Sequence, residues 1–221
     1  MKRYDTILFD LDGTVLDTSS GILRSINEAI EQCGLPEISE EQKRSMIGPP
    51  IDRSFKEIYQ MTDEQAAEAA AAFRAAYSEK YLMDAQPYPG ILQLMHDLRE
   101  NGWKVGVATY KRNDYAQRLM QETGINDLCH FTLGSDGKGQ TKADIIQICL
   151  DQLGCDDPAR CIMVGDTVHD LIGAQNAGTA FAGVTFGFGF RSREEIMAQG
   201  ALAACTSASE LQVEFDKLYD C

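Results

Sequence analysis

Short apolar runs recur along the chain, and between them lie stretches whose apolar residues fall three or four apart. The runs are Tyr4 to Leu11, centred on Ile7, Leu8 and Phe9, then Val105 to Thr109, Phe131 to Gly134, Cys161 to Gly165 and Phe181 to Thr185. Such runs, bounded by acids and glycine, suit strands buried on both faces. The patterns between them, Ile91, Leu94, Met95 and Leu98, then Ile145, Ile146, Cys149, Leu150 and Leu153, repeat with the helical period. Strand and helix in alternation predict a parallel sheet covered on both sides.

One stretch breaks the alternation. From Thr18 to Met83 no strand pattern occurs, only helical spacing such as Ile22, Ile26, Ala29, Ile30 and Cys33, and an alanine-rich run from Ala66 to Ala76. Phe73 and Tyr77, four apart, give that run an apolar stripe, so it reads as a packed helix and not as low complexity. Gly34-Leu35-Pro36, Gly48-Pro49-Pro50 and Pro87-Tyr88-Pro89-Gly90 punctuate the stretch. The expected fold class is therefore α/β: a Rossmann-like doubly wound parallel sheet core, residues 1–17 and 84–221, with an inserted α-helical domain at 18–83.

Charge narrows the partners. Thirty-four acidic residues against 20 Lys plus Arg give a net charge of −14, which repels phosphodiester backbones and argues against nucleic-acid binding. No apolar run reaches the roughly 20 residues of a membrane span, and Asp5 interrupts the start too early for a signal peptide, so a cytoplasmic protein is expected. Cys33, Cys129, Cys149, Cys155, Cys161, Cys205 and Cys221 form no Cys-x-x-Cys pair and read as reduced thiols used as small hydrophobes. His96, His130 and His169 stand at no zinc-ligand spacing with them.

The strongest chemical signal is Asp10-Leu11-Asp12-Gly13-Thr14, at the end of the first run. Residues two apart in an extended chain point the same way, so Asp10 and Asp12 project together, and two like charges there need a cation or a proton between them. An Asp-Gly turn would explain Asp12 and Gly13 but leaves Asp10 unexplained. A second pair, Asp166 and Asp170, follows the fourth run in Gly165-Asp166-Thr167-Val168-His169-Asp170. Helix capping accounts for it alone. Beside the first pair, four carboxylates at strand carboxyl ends suit an oxygen-liganded magnesium ion. Thr109 and Lys142, a neutral donor and a point charge, suit the oxygens of a phosphoryl group. Gly187-x-Gly189 and Gly137-x-Gly139 lack the third glycine of a dinucleotide site.

In order and place, Asp10-Leu11-Asp12-Gly13-Thr14, Thr109, Lys142 and Gly165-Asp166 with Asp170 resemble the four motifs of the haloacid dehalogenase superfamily, over about Tyr4 to Leu218. Ile47-Gly48-Pro49-Pro50 with Ser54-Phe55 resembles the helical cap of phosphoglycolate phosphatase-like members. Gly134-Ser135-Asp136, Lys142-Ala143 and Gly187-Phe188-Gly189 with Ser192-Arg193-Glu194-Glu195 are similar to a 5'-nucleotidase-like bacterial subgroup. The chain departs from the family at Tyr110, where a small polar residue is usual, and His169 has no required role.

The resemblance implies a Mg2+-dependent phosphatase acting on small phosphorylated metabolites, as a monomer or homodimer. Asp10 would be the nucleophile and Asp12 the general acid and base. Asp10, the Asp12 backbone carbonyl and Asp166 would hold the metal, with Asp170 behind them. Thr109 and Lys142 would bind the phosphoryl group. The cap would close over the site on hinges near Asp17 to Ser20 and Asp84 to Pro89, with Arg53 and Tyr110 as candidate substrate contacts. A phosphosugar mutase of the same superfamily and a receiver-like aspartate phosphoacceptor are the competing expectations. The presence of Asp12 argues against a dehalogenase.

Overall fold

The computed structural model of the protein describes residues 3–219. The chain forms two compact units: one runs to Asp17 and resumes at Pro87, and the other is Thr18–Gln86. In chain order, β1 (Thr6–Phe9) and the short β2 (Leu16–Asp17) lead out of the first unit. The second unit holds α1 (Ser19–Gln32), α2 (Glu40–Ser45), α3 (Ile51–Tyr59) and α4 (Asp63–Ala76), which runs on into a π-helical turn at Tyr77–Tyr81. After β3 (Gln86–Pro87) come α5 (Ile91–Glu100), β4 (Lys104–Arg112), α6 (Asn113–Glu122), α7 (Ile125–Leu128) and β5 (Phe131–Ser135). Then follow α8 (Lys142–Gln152), β6 (Cys161–Gly165), α9 (Val168–Ala177), β7 (Ala180–Val184), α10 (Arg193–Met197), β8 (Ala203–Cys205) and α11 (Ala208–Tyr219).

Six of these strands form one parallel sheet in the order β5-β4-β1-β6-β7-β8. From β1 the chain builds outward through β4 and β5, then returns to the other side of β1 with β6. The order thus reverses between β1 and β6, and the carboxyl ends of those two strands border the crevice where doubly wound sheets bind ligands. The core explains the apolar runs. Leu8, Ala108, Cys161 and Met163 pack with Ile145, Ile146, Cys149 and Leu150 of α8 and Leu171 and Ala174 of α9. Ile7, Phe9, Val105, Val107, Ile162 and Val164 alternate with them along the strands and are just as buried, so both faces of the sheet are covered. β8 has no counterpart among the sequence runs, because Ala203-Ala204-Cys205 is short and alanine carries little strand preference.

The helical unit has its own core, with Ile26, Ala29 and Ile30 of α1, Met46, Phe55 of α3 and Ala69 of α4. Thr62 and Gln65 close a capping box that starts α4, and Phe73 stacks on Tyr77 at 5.8 Å between ring centroids. The described cysteines are free thiols, all buried except the partly exposed Cys33, and Cys221 lies outside the described residues. Burial pushes the Cys129 and Cys149 thiols up to about 12, which leaves them unreactive. Among the described residues no helix is long and apolar enough to cross a membrane.

Candidate active site

The site is assembled where β1 and β6 end. The Asp10 amide donates to Val164 O at 2.8 Å, which fastens the residue after β1 to the last turn of backbone in β6. The chain then reverses through Gly13 at φ +80°, a conformation that favours glycine, and a Cβ at that position would strike the Asp166 carboxylate. Thr14 Oγ1 donates to Asp166 Oδ1 at 3.1 Å, and the Phe188 amide donates to Asp166 Oδ2 at 2.7 Å. Gly187 lies so close to Asp166 and to Gly13 O that any side chain there would collide with both. Asp166 is therefore fully buried and gripped from two loops.

Asp170 uses its two oxygens in different ways. Its Oδ2 accepts from the Thr167 amide at 3.1 Å and the Thr167 hydroxyl at 2.7 Å, completing the capping box that starts α9. Its Oδ1 faces Lys142 Nζ at 2.7 Å, and the same ammonium donates to Asp10 Oδ1 at 2.6 Å. Thr141 caps α8 in the same manner with Asp144, which sets Lys142 as the first residue of the helix. The lysine side chain is almost wholly buried between the two aspartates.

Thr109 is buried at the sheet's carboxyl edge. There β4 pairs Thr109 with Gly134 and Arg112 with Ser135, so Tyr110 and Lys111 form a bulge. Bulges of this kind re-aim side chains beside active sites. The Lys111 amide turns in to Thr109 Oγ1 at 3.2 Å, and Lys111 Nζ reaches Asp12 Oδ1 at 3.0 Å and Oδ2 at 3.1 Å. The Tyr110 hydroxyl accepts from the Lys142 amide at 2.7 Å, and its ring meets His169 edge-on at 6.3 Å.

The electrostatics follow from crowding. Burial, reinforced by Asp170 and Asp12 against the pull of Lys142, raises the Asp10 carboxyl to about 7. Burial together with Asp170 and Asp10 raises Asp166 to about 8. Burial opposes the charge on Lys142, but Asp10 and Asp170 outweigh it and hold the ammonium above its usual value. Oxygens of Asp10, Asp166 and Asp170 lie within 4.8 Å of one another. Once ionised, three carboxylates against one ammonium leave an excess of negative charge, and an all-oxygen donor set of that charge fits a hard divalent cation such as magnesium.

This constellation falls inside a match to the family model described as haloacid dehalogenase-like hydrolase, which covers residues 7–184. The chain belongs to that family. A 5'-nucleotidase of Pseudomonas aeruginosa is 32% identical over 212 residues, 95% of each chain. A phosphoglycolate phosphatase of Caulobacter vibrioides is 30% identical over 190 residues, 83% of this chain and 80% of that one. The crystal structure of a putative phosphatase from Clostridium difficile superposes with a TM-score of 0.88 at 32% identity, covering 99% of this chain and 100% of that one. The protein is thus a phosphatase of the haloacid dehalogenase-like hydrolases, with the α/β fold of that family.

Within this haloacid dehalogenase-like hydrolase, Asp10, Lys142, Asp166 and Asp170 come into direct contact or near contact at one point. Asp12 is joined instead to Lys111. Arg53 belongs to α3 of the helical unit, exposed, with its Nε donating to Glu57 Oε1 at 2.7 Å. Three participants escaped the sequence reading: Lys111, the Thr14 hydroxyl as a partner of Asp166, and the Phe188 amide. Thr14 closes the Asp10-Leu11-Asp12-Gly13-Thr14 motif, and Phe188 lies between Gly187 and Gly189. Lys111 carried no signal of its own, since the bulge that turns it toward Asp12 is invisible in residue spacing.

Proposed function

We propose that this phosphatase hydrolyses small phosphomonoesters through an aspartyl-phosphate on Asp10, with magnesium as cofactor. The observation that carries the reading is the convergence of the Asp10, Asp166 and Asp170 carboxylates, with the Lys142 ammonium between two of them. An oxygen of Asp10 attacks phosphorus, the bond to the leaving alcohol breaks, and Asp12 gives that oxygen its proton. Water then attacks the phosphorus of the intermediate, Asp12 takes a proton back, and Asp10 departs as a carboxylate. Phosphate is released and both aspartates are restored.

Asp10, the backbone carbonyl of Asp12 and Asp166 would hold the metal, and Asp170 would orient that set through its hydrogen bonds. When bound, magnesium offsets the repulsion between the carboxylate nucleophile and the phosphate dianion. Thr109 and Lys142 hold phosphoryl oxygens, a task in which position and charge do most of the catalysis. The helical unit would serve as a cap that excludes water and meets the leaving group, with Arg53 on α3 and Tyr110 on β4 of the sheet unit as candidate substrate contacts. The substrate is a small metabolite of the nucleoside 5'-monophosphate or phosphoglycolate kind, as the names of the two relatives suggest.

Phosphate release from a panel of such esters, with and without magnesium, tests the reading. Turnover is expected only with the metal, and Asp10→Asn is expected to lower kcat by more than about a thousandfold. Isomerised sugar phosphate without free phosphate would identify a mutase instead, and a stable phospho-protein without turnover a phosphoacceptor. Arg53→Ala is expected to reorder the esters by kcat/KM. An unchanged order removes Arg53 from substrate contact.

A further inference from the structure

Lys111 has no part in the reaction as described so far, yet its placement is specific. It stands on the β4 bulge, its side chain is 7% exposed, and its ammonium touches both oxygens of an aspartate 99 residues away in sequence. An exposed lysine would gain little from such a pair, because solvent screens it and the side chain loses rotamer freedom. Here the stem is buried and the bulge aims it. The two contacts are nearly equal, 3.0 and 3.1 Å, so both Asp12 oxygens act as acceptors.

We infer that Lys111 is a positioning residue for the second half of the reaction: it holds Asp12 in the orientation from which Asp12 takes a proton from the water that attacks the aspartyl-phosphate. The inference rests on the reading of Asp10 and Asp12 proposed above. In that step the water oxygen bonds to phosphorus, the phosphorus–Asp10 bond breaks, and the water proton passes to Asp12. Lys111 takes no proton and acts only through its contacts with the Asp12 oxygens. Losing it lets the Asp12 carboxylate swing among rotamers, which slows hydrolysis of the intermediate more than its formation. A 4-nitrophenyl ester isolates this effect, since its leaving group departs without needing a proton.

The experiment is rapid-quench kinetics with 4-nitrophenyl phosphate and magnesium on wild type, Lys111→Met, Lys111→Arg, Asp12→Asn and Asp10→Asn. Phospho-protein is measured directly after acid quench. Lys111→Met is expected to release a burst approaching one equivalent of 4-nitrophenol, to accumulate phospho-protein, and to lose at least about tenfold in kcat while kcat/KM falls less. Lys111→Arg is expected to recover much of kcat, and Asp10→Asn to carry no phosphate. Equal losses in kcat and kcat/KM for Lys111→Met, with no phospho-protein, overturn the inference. If Asp12→Asn accumulates phospho-protein while Lys111→Met does not, Lys111 alone is misassigned. If Asp12→Asn fails to accumulate it, the role of Asp12 falls and the inference falls with it. Lys111→Gln, which keeps a donor, is read by the same two quantities should the methionine variant not fold.

Discussion

At the scale of single residues, Asp166 shows how much backbone one functional carboxylate requires. Its two oxygens take the Thr14 hydroxyl and the Phe188 amide, and neither donor belongs to the strand that carries it. The cradle closes only because Gly13 and Gly187 leave no atoms in its way. Gly187→Ala is therefore expected to destabilise the protein by about 1–3 kcal/mol through overpacking. It should also weaken magnesium binding, because the side chain that must move is a proposed ligand. Calorimetric titration of the metal together with thermal unfolding checks both effects. Unchanged magnesium affinity would show that the loop yields before Asp166 does.

At the scale of elements, the start of each of two helices doubles as part of the site. Asp170 caps α9 with one oxygen and meets Lys142 with the other, while Thr141 caps α8 one residue before that lysine. Helix register and charge placement are thus fixed by the same hydrogen bonds. Tyr110 adds a third constraint, since its hydroxyl accepts from the first amide of α8. Tyr110→Phe removes this acceptor but keeps the ring on His169. It is expected to cost about 1 kcal/mol or less, since water can reach the freed amide beside a half-exposed tyrosine. Urea unfolding measures it, and a loss well above that figure would mean that the start of α8 depends on Tyr110 more than its cap does.

At the scale of the whole molecule, the site opposes stability when metal is absent. The native state keeps protons on Asp10 up to about pH 7 and on Asp166 up to about pH 8, whereas both release them near 3.8 in the unfolded chain. Between those limits the native protein binds more protons, so its stability falls as pH rises. Carboxylates such as Asp144 and Glu210 shift the other way. Backbone amides at helix starts hold them below their ordinary values of 3.8 and 4.5, so their contribution is complete by about pH 5. Melting of metal-free protein is thus expected to move to lower temperature from pH 5 to pH 8, and Asp166→Asn should flatten that slope. Magnesium at a hundred times its Kd should add about 2.7 kcal/mol, and at a fixed magnesium concentration the gain should be larger at the higher pH, because the metal takes the ionised carboxylates and its Kd falls as they ionise. A flat melting temperature across that range without metal would contradict the raised carboxyl groups.

The sequence by itself determined the layers of the fold and the identity of the acidic groups. Buried parallel strands need apolar residues on both faces, and Ile7, Leu8 and Phe9 or Cys161 to Val164 display that need in order. Asp10, Asp12 and Asp166 stand where such runs stop and Asp170 in the first turn of the helix that follows, because a strand buried on both faces has room for a carboxylate only beyond its end. The helical stretch after Asp17 was legible for the same kind of reason, because a period of three to four excludes a strand. What residue spacing does not carry is which neighbours meet across the chain. The β4 bulge that aims Lys111 at Asp12, the 186–190 loop that seals Asp166, and the placing of Lys142 between two aspartates are long-range contacts. Each arises from the packing of elements far apart in sequence, and only the tertiary structure decides it.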